Sequence, residues 1–226
     1  MNQENLNKTF LSLKKYGNET VKTFKNNELG KSYVDPTKIP SLPNSIIRIP
    51  ANIEELLIEF GKLNAEHGRE ISYYLIGLDN RRGGNTNEVI ISSLIFSSSE
   101  SIAGNDVSCS FGEKMTTCLN EQLGPLWRQQ DVIVFQGHTH PPTAYSDNFS
   151  LLDLANIREH SVDTPFQLAG FLVCPSNQTG VGELIYRATF YEKGNDKFYQ
   201  FSSFQSVKNQ GLIINADKQI SPSYNL

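Results

Sequence analysis

The tract over residues 131–142 constrains the fold of this chain more than any other part of the sequence. Four consecutive apolar residues, 132–135, are typical of a buried strand. That strand then carries a His-x-His pair to its end, where two prolines stop it. Because side chains two apart in a strand point to the same side, His138 and His140 are predicted to reach one ion while Thr139 faces away.

A helix start follows this strand and supplies a third ligand type. Ser150 suits a helix N-cap, and Asp153, three residues on, falls in the first helical turn. Two neutral imidazoles and one carboxylate form a three-ligand set, which leaves the fourth position of zinc open for water, as catalytic sites do. The sequence therefore predicts a single catalytic Zn2+ ion and hydrolytic chemistry.

The chain length suits one domain of ordinary size behind an extension. The spacing of apolar residues predicts a short helix over residues 5–16. Four prolines between residues 30 and 50 favour an extended connector without regular structure. We place the domain boundary at its end, so that residues 1–50 form an N-terminal extension or linker and residues 51–226 form the metal-binding domain.

Helices and strands both occur in the predicted domain. Helices are predicted over residues 52–67, 112–123 and 150–160. Strands are predicted over residues 71–78, 89–96, 131–135, 168–174 and 182–191. Such a mixture gives an α/β or α+β domain with helices packed on one central sheet. Four aromatic residues near the end are expected to cover that sheet: Phe198, Tyr199, Phe201 and Phe204.

Charge and composition exclude several classes of protein. The net charge of −4 disfavours a general nucleic-acid binder, although residues 1–38 carry seven Lys against four Asp or Glu. No apolar stretch is long enough to span a bilayer, and the N-terminus lacks the apolar core of a secretory signal. Three cysteines without a C-x-x-C pair suit a reducing compartment. We expect a cytoplasmic protein.

The combined motif resembles that of a known family. Gly-His-Thr-His-Pro followed by Ser-Leu-Leu-Asp is similar to the JAMM motif of the JAB1/MPN zinc metalloprotease superfamily, in which a glutamate precedes His-Ser/Thr-His-Pro and Ser-x-x-Asp. Glu70 opens a segment that looks like the first core strand of the family. The resemblance covers about residues 52–192. It implies a cytidine-deaminase-like MPN/JAB fold, with a central mixed sheet flanked by helices.

The resemblance also implies a role for each residue. His138, His140 and Asp153 would bind zinc, Glu70 would act as the general base, and Ser150 would donate a hydrogen bond to the oxyanion. The tracts around the motif look most like the endosome-associated deubiquitinases that bind the STAM adaptor. Those enzymes cut isopeptide bonds in ubiquitin chains and carry a second, structural zinc. This sequence has no Cys or His after residue 174, so the second zinc is expected to be missing.

The spacing of the motif leaves alternatives open. Nine residues separate His140 from Ser150, which is longer than is usual in the family, and we interpret the excess as a loop insertion. Asp147 is the reserve metal ligand. Glu88, which opens the next predicted strand, is the competing base. The other two histidines are predicted to have solvated or capping roles at helix ends: His67 and His160.

The sequence thus favours a zinc-dependent isopeptidase, a deubiquitinase acting on ubiquitin or ubiquitin-like conjugates. One alternative is a non-catalytic MPN-type scaffold that binds partner proteins. Another is a prokaryotic-type JAB peptidase that processes a small ubiquitin-like modifier. The Asn- and Lys-rich composition would suit a bacterial source, in which case delivery into a host cell is a further hypothesis.

Overall fold

The computed structural model describes residues 34, 36–67, 70–83, 87–101, 111–126, 131–140, 148–164, 166–175 and 184–218. Within these residues the helices are α1 (Ala51–His67), α2 (Glu113–Leu126) and α3 (Leu151–Asp163). The strands are β1 (Ser41–Pro50), β2 (Ser72–Asp79), β3 (Glu88–Phe96), β4 (Val132–Thr139), β5 (Gln167–Pro175), β6 (Leu184–Glu192), β7 (Lys197–Val207) and β8 (Leu212–Asn215). None of these three helices has the length and apolar character needed to cross a membrane.

Seven of the described strands close into a mixed barrel. The hydrogen-bonded order is β1-β7-β6-β5-β4-β2-β3, and β1 also pairs with β3, so that the first strand joins the last. β8 pairs in parallel with the second half of β3 and extends the sheet beyond the closure. β4 lies between β2, to which it is antiparallel, and β5, to which it is parallel. The strand with the His-x-His pair is therefore held on both sides.

The predicted fold class is wrong. We expected an α/β or α+β domain of the cytidine-deaminase-like MPN/JAB type, with helices flanking a central sheet, whereas the described residues form a closed barrel with three helices. The five predicted strands are present as β2 to β6, and alone they would form an open sheet. The difference comes from β1 and β7, because these two unpredicted strands join β6 to β3.

The expectation of an irregular connector over residues 30–50 is also wrong for Ser41–Pro50, which form β1. Prolines are tolerated in strands at bulges and at strand ends. The register of β1 against β7 shifts in the segment that contains Pro43, and Asn44 there has a φ of 56°. These residues belong to the same sheet as strands of the predicted domain, residues 51–226, and so are not a linker.

The other predicted helices and strands are confirmed within the described residues, whereas the four aromatic residues expected to cover the sheet are part of its strand β7. α1 begins one residue before the predicted helix, β2 and β3 form the predicted antiparallel hairpin, and α3 begins directly after Ser150. α2, β4, β5 and β6 lie at the predicted places, with ends that differ by a few residues. The helix predicted over residues 5–16 lies outside the described residues.

Apolar side chains divide between the inside and the outside of the barrel. All seven closing strands contribute to the interior, and α1 adds Ile53, Leu57 and Phe60 to the same cluster. α2 packs on the outer face of β2 and β4. α3 packs on the outer face of β5, where Leu154 and Ile157 meet Leu172. The N-terminus of α3 is thereby brought to the outer face of the sheet beside β4.

Candidate metal centre

The alternation of side chains along β4 places both histidines on the outer face of the barrel. Ile133 and Phe135 belong to the interior cluster, whereas Val132 and Val134 pack under α2 outside. Continuing that alternation puts His138 and His140 outside and Thr139 inside. The prediction that the two histidines share one side of the strand is confirmed, because their imidazole Nε2 atoms lie 2.9 Å apart.

α3 delivers the carboxylate to the same place. Ser150 is the N-cap of α3, and Asp153 completes a capping box with it. The helix can approach β5 closely because residue 170 is a glycine, where an added Cβ would lie 2.6 Å from Ile157 Cδ1 and 2.8 Å from Phe149 Cε1. The Ser-x-x-Asp spacing therefore places the carboxylate in the first turn of α3, as predicted.

The three predicted ligands converge. Asp153 Oδ1 lies 3.5 Å from His138 Nε2, and Asp153 Oδ2 lies 3.9 Å from His140 Nε2. Ligands about 2.0–2.2 Å from a tetrahedral zinc lie about 3.3–3.6 Å from one another. The shortest distances between the three residues, 2.9, 3.5 and 3.9 Å, lie around that range, although they involve both oxygens of Asp153. With one ligand atom taken from each residue, all three atoms lie within 4.8 Å of one another. The cluster could hold a metal ion.

Ser150 orients the carboxylate of Asp153. Its backbone N–H and its Oγ both donate to Asp153 Oδ2, at 2.7 and 2.8 Å. Its Oγ in turn accepts from the backbone N–H of Asp153 at 3.1 Å. Oδ2 is therefore satisfied within the helix N-terminus, and Oδ1 is the oxygen nearer to His138. In this state the Ser150 hydroxyl is engaged with Asp153, whereas its predicted role as an oxyanion donor stays a prediction.

Glu70 lies beside the two histidines. It precedes β2 at the end where Ser72 pairs with His138 on β4, so continuing the antiparallel register brings Glu70 opposite His140. Its Oε1 is 3.9 Å from His140 Nε2, and the side chain is buried. Glu70 was found through the resemblance, and the structure brings it to the predicted ligands.

The charges in the cluster reinforce one another. Burial lowers the pKa of His138, but the negative charges of Asp153 and Glu70 outweigh burial and raise that pKa to about 9. Burial likewise acts to raise the pKa of Asp153, and the neighbouring imidazoles together with the Ser150 hydroxyl hold it well below its usual range. The site therefore favours an ionised carboxylate beside a positive charge, and a metal ion would replace the proton on His138.

Glu88, the competing base, is not brought to the site. It begins β3, and its neighbour Val89 pairs with Asp79 at the far end of β2. Glu88 forms an ion pair with Arg48. Eight strand residues span about 25 Å, so Glu88 cannot act on the same water as Glu70.

The remaining sequence candidates take other positions. Asp147, the reserve ligand, lies outside the described residues, as does the side chain of His67. A solvated or capping role was predicted for His160. Instead it is half-buried on α3, and its Nδ1 lies 3.0 Å from Gln136 Nε2 on β4. Sequence patterns also missed Phe149, whose ring meets that of His138 edge-on at 6.5 Å. The sequence signal that could have identified Phe149 is its position directly before the N-cap residue Ser150.

A scan of protein-family profiles gave no match to the chain, and neither did a search of curated proteins. The donor atoms of the cluster, its burial and its neighbours are therefore the basis for assigning its chemistry.

Proposed function

We propose that this protein is a zinc-dependent hydrolase with isopeptidase activity. The observation that carries the proposal is the convergence of His138, His140 and Asp153 within bonding range of one ion, with Glu70 beside them. Two imidazoles and one carboxylate are a ligand set of catalytic zinc sites, because they leave a coordination position for substrate or water. When bound, zinc would acidify water and polarise a carbonyl oxygen.

The chain's own residues have distinct tasks in this proposal. Glu70 takes a proton from the attacking water at a carboxylate oxygen and returns it to the nitrogen of the leaving amine, so the carboxylate is regenerated in each turnover. Its buried position shelters that proton from bulk water. Ser150 fixes the carboxylate of Asp153, and its hydroxyl would turn to the oxyanion when substrate binds.

The proposed substrates are ubiquitin or ubiquitin-like conjugates, from which the enzyme would release a lysine side chain. This substrate class is supported by the resemblance of the His-Thr-His-Pro and Ser-x-x-Asp tracts to the JAMM motif, together with Glu70 upstream. We also propose a cytoplasmic location. Two of the cysteines, Cys118 and Cys174, are buried thiols, which suits a reducing compartment.

Metal analysis and a cleavage assay together test the proposal. The purified chain should contain about one zinc per molecule and should cleave di-ubiquitin of at least one linkage. A chelator should abolish cleavage, and added zinc should restore it. A protein that binds zinc and cleaves a small ubiquitin-like modifier but no ubiquitin chain would redirect the substrate assignment. A protein that binds no metal, or cleaves neither substrate, would overturn the proposal and leave a binding scaffold.

A further inference from the structure

Thr139, which lies between the two histidines, makes two hydrogen bonds to a single residue of the neighbouring chain segment. Its backbone N–H donates to Ile71 O at 3.0 Å, and its Oγ1 accepts from the backbone N–H of Ile71 at 2.9 Å. In a regular antiparallel pair of this kind, a backbone carbonyl would accept the second bond. The threonine hydroxyl therefore takes the place of a carbonyl where the pairing of β2 with β4 ends.

The position of this contact links it to the site. Ile71 directly follows Glu70, and both precede the first residue of β2, Ser72. Ser72 donates its backbone N–H away from β4, to Ser101 O at 3.1 Å. The pair of bonds to Thr139 thus ties the residue next to Glu70 to the histidine strand. It is completely sheltered, since Thr139 is 0% exposed and Ile71 2%.

We infer that Thr139 is a positioning residue whose hydroxyl fixes the backbone at Ile71 and so holds the Glu70 carboxylate against the metal ligands. The inference rests on the proposed function, because it assigns to Glu70 the transfer of a proton. Thr139 itself touches neither substrate nor metal, since its side chain faces the barrel interior. Serine would preserve the acceptor at this position, whereas valine would keep the shape and remove the acceptor.

The first test compares Thr139→Val with Thr139→Ser in the zinc-loaded full chain. Valine should lower kcat about tenfold to a hundredfold, because displacements near 1 Å of a catalytic group have effects of that size. KM and zinc content should stay at wild-type values, and serine should restore most of kcat. The matched control is Thr189→Val, which removes another fully buried hydroxyl, on β6, that donates to Tyr199 O at 2.9 Å. That control should leave kcat unchanged.

A second readout does not depend on activity. Hydrogen exchange at the Ile71 amide should be faster in Thr139→Val than in wild type, with and without zinc, and serine should restore protection. Wild-type exchange and wild-type kcat in a folded Thr139→Val protein would overturn the inference. If valine prevents folding, Thr139→Cys replaces the hydroxyl by a weakly accepting sulfur of similar size and is judged by the same two measurements.

A Glu70→Gln background separates the routes by which Thr139 could act. If Thr139 acts through Glu70, adding Thr139→Val to Glu70→Gln should lower the residual kcat by less than twofold. An equal loss in both backgrounds would show that Thr139 does not act through Glu70, and would overturn the inference. Failure of the wild-type chain to cleave any conjugate would sink the proposed function, while Ile71 exchange would still decide whether the hydroxyl fixes this backbone.

Discussion

Each end of β2 lies beside a carboxylate, Asp79 at one end and the half-buried Asp153 of α3 at the other, and the two are balanced in different ways. At its C-terminal end, Asp79 accepts from Arg81 Nε and Nη2, each at 2.6 Å, and the guanidinium lies 4.1 Å above the ring of Phe190. Asp79 is 2% exposed. A bidentate arginine is always charged and matches the carboxylate geometry. At this end the chain supplies its own cation, and the result is an ion pair that stabilises the barrel.

Beside the other end of β2, Asp153 of α3 faces the two imidazoles of the cluster. Asp153 lies 3.5 Å from His138 and 3.9 Å from His140, whose Nε2 atoms point toward each other. Imidazole carries a full charge only when protonated, and two protonated rings with nitrogens 2.9 Å apart would repel each other. A divalent ion would satisfy all three groups at once. The comparison suggests how the two acids differ: Asp79 is neutralised by an arginine, whereas Asp153 faces groups that could themselves bind a metal.

The largest expected effect separates the two ends directly. Asp153→Asn should reduce zinc affinity by more than about a hundredfold, since even residues that only support ligands contribute 10–100-fold, and activity should disappear with the metal. Asp79→Asn should leave zinc affinity unchanged and lower the free energy of unfolding by about 3–5 kcal/mol, because it leaves a buried guanidinium without its partner. Isothermal titration with zinc and urea unfolding measure the two quantities. Loss of zinc affinity in a folded Asp79→Asn protein would break the comparison.

The second prediction concerns Glu70, the proposed general base, which is not a metal ligand in the proposed function. Glu70→Gln should bind zinc as wild type does and lower kcat about 10²–10⁴-fold, the usual contribution of a positioned general base. Glu88→Gln is the control, because Glu88 lies at the opposite end of the hairpin beside Arg48. Steady-state cleavage of di-ubiquitin with metal analysis of each variant gives both values. Undiminished turnover by Glu70→Gln would contradict the assignment, and the position of Glu88 leaves it unable to take over.

A smaller effect is expected at the residue that orients Asp153. Ser150→Ala removes the cap of α3 and one of two donors to Oδ2, so stability should fall by about 1 kcal/mol and zinc affinity about tenfold. Ser150→Thr keeps both hydrogen-bonding functions and should lie near wild type. Thermal unfolding with and without zinc measures both changes. Equal melting shifts for Ala with and without zinc would mean that Ser150 acts as a cap alone.

Local signals predicted most of the site, whereas the closure of the sheet was not predictable in the same way. The His-x-His strand and the Ser150 cap follow from alternation and capping chemistry within a few residues, and both are confirmed. β1 was missed because its prolines outweigh its apolar alternation, although the register shift near Pro43 accommodates them. β7 was missed because its buried positions do not alternate cleanly. Barrel closure depends on pairing between these distant segments, which no local pattern contains.

The smallest expected effect involves another acid, Asp217, which is half-buried beside an exposed lysine. Asp217 Oδ1 lies 2.8 Å from Lys114 Nζ, and Oδ2 accepts from the backbone N–H of Ser99 at 2.9 Å. The hydrogen bonds from Lys114 and Ser99 hold the pKa of Asp217 well below its usual range. The network links α2 to the turn after β8, none of its members is a predicted ligand, and its lysine is exposed.

Asp217→Asn should therefore cause a slight loss of stability at neutral pH and no change in zinc affinity. A carboxyl whose pKa is lower in the folded state stabilises the protein above its unfolded pKa of about 3.9, and that stabilisation is lost as the pH falls through the lower folded value. The difference between wild type and variant should accordingly shrink on acidification, and salt should reduce it as well because Lys114, the partner of Asp217, is exposed. Unfolding curves at several pH values and salt concentrations measure this. A difference as large as that of Asp79→Asn would show that exposure does not rank these acids, and that the surrounding hydrogen bonds set the contribution of each one.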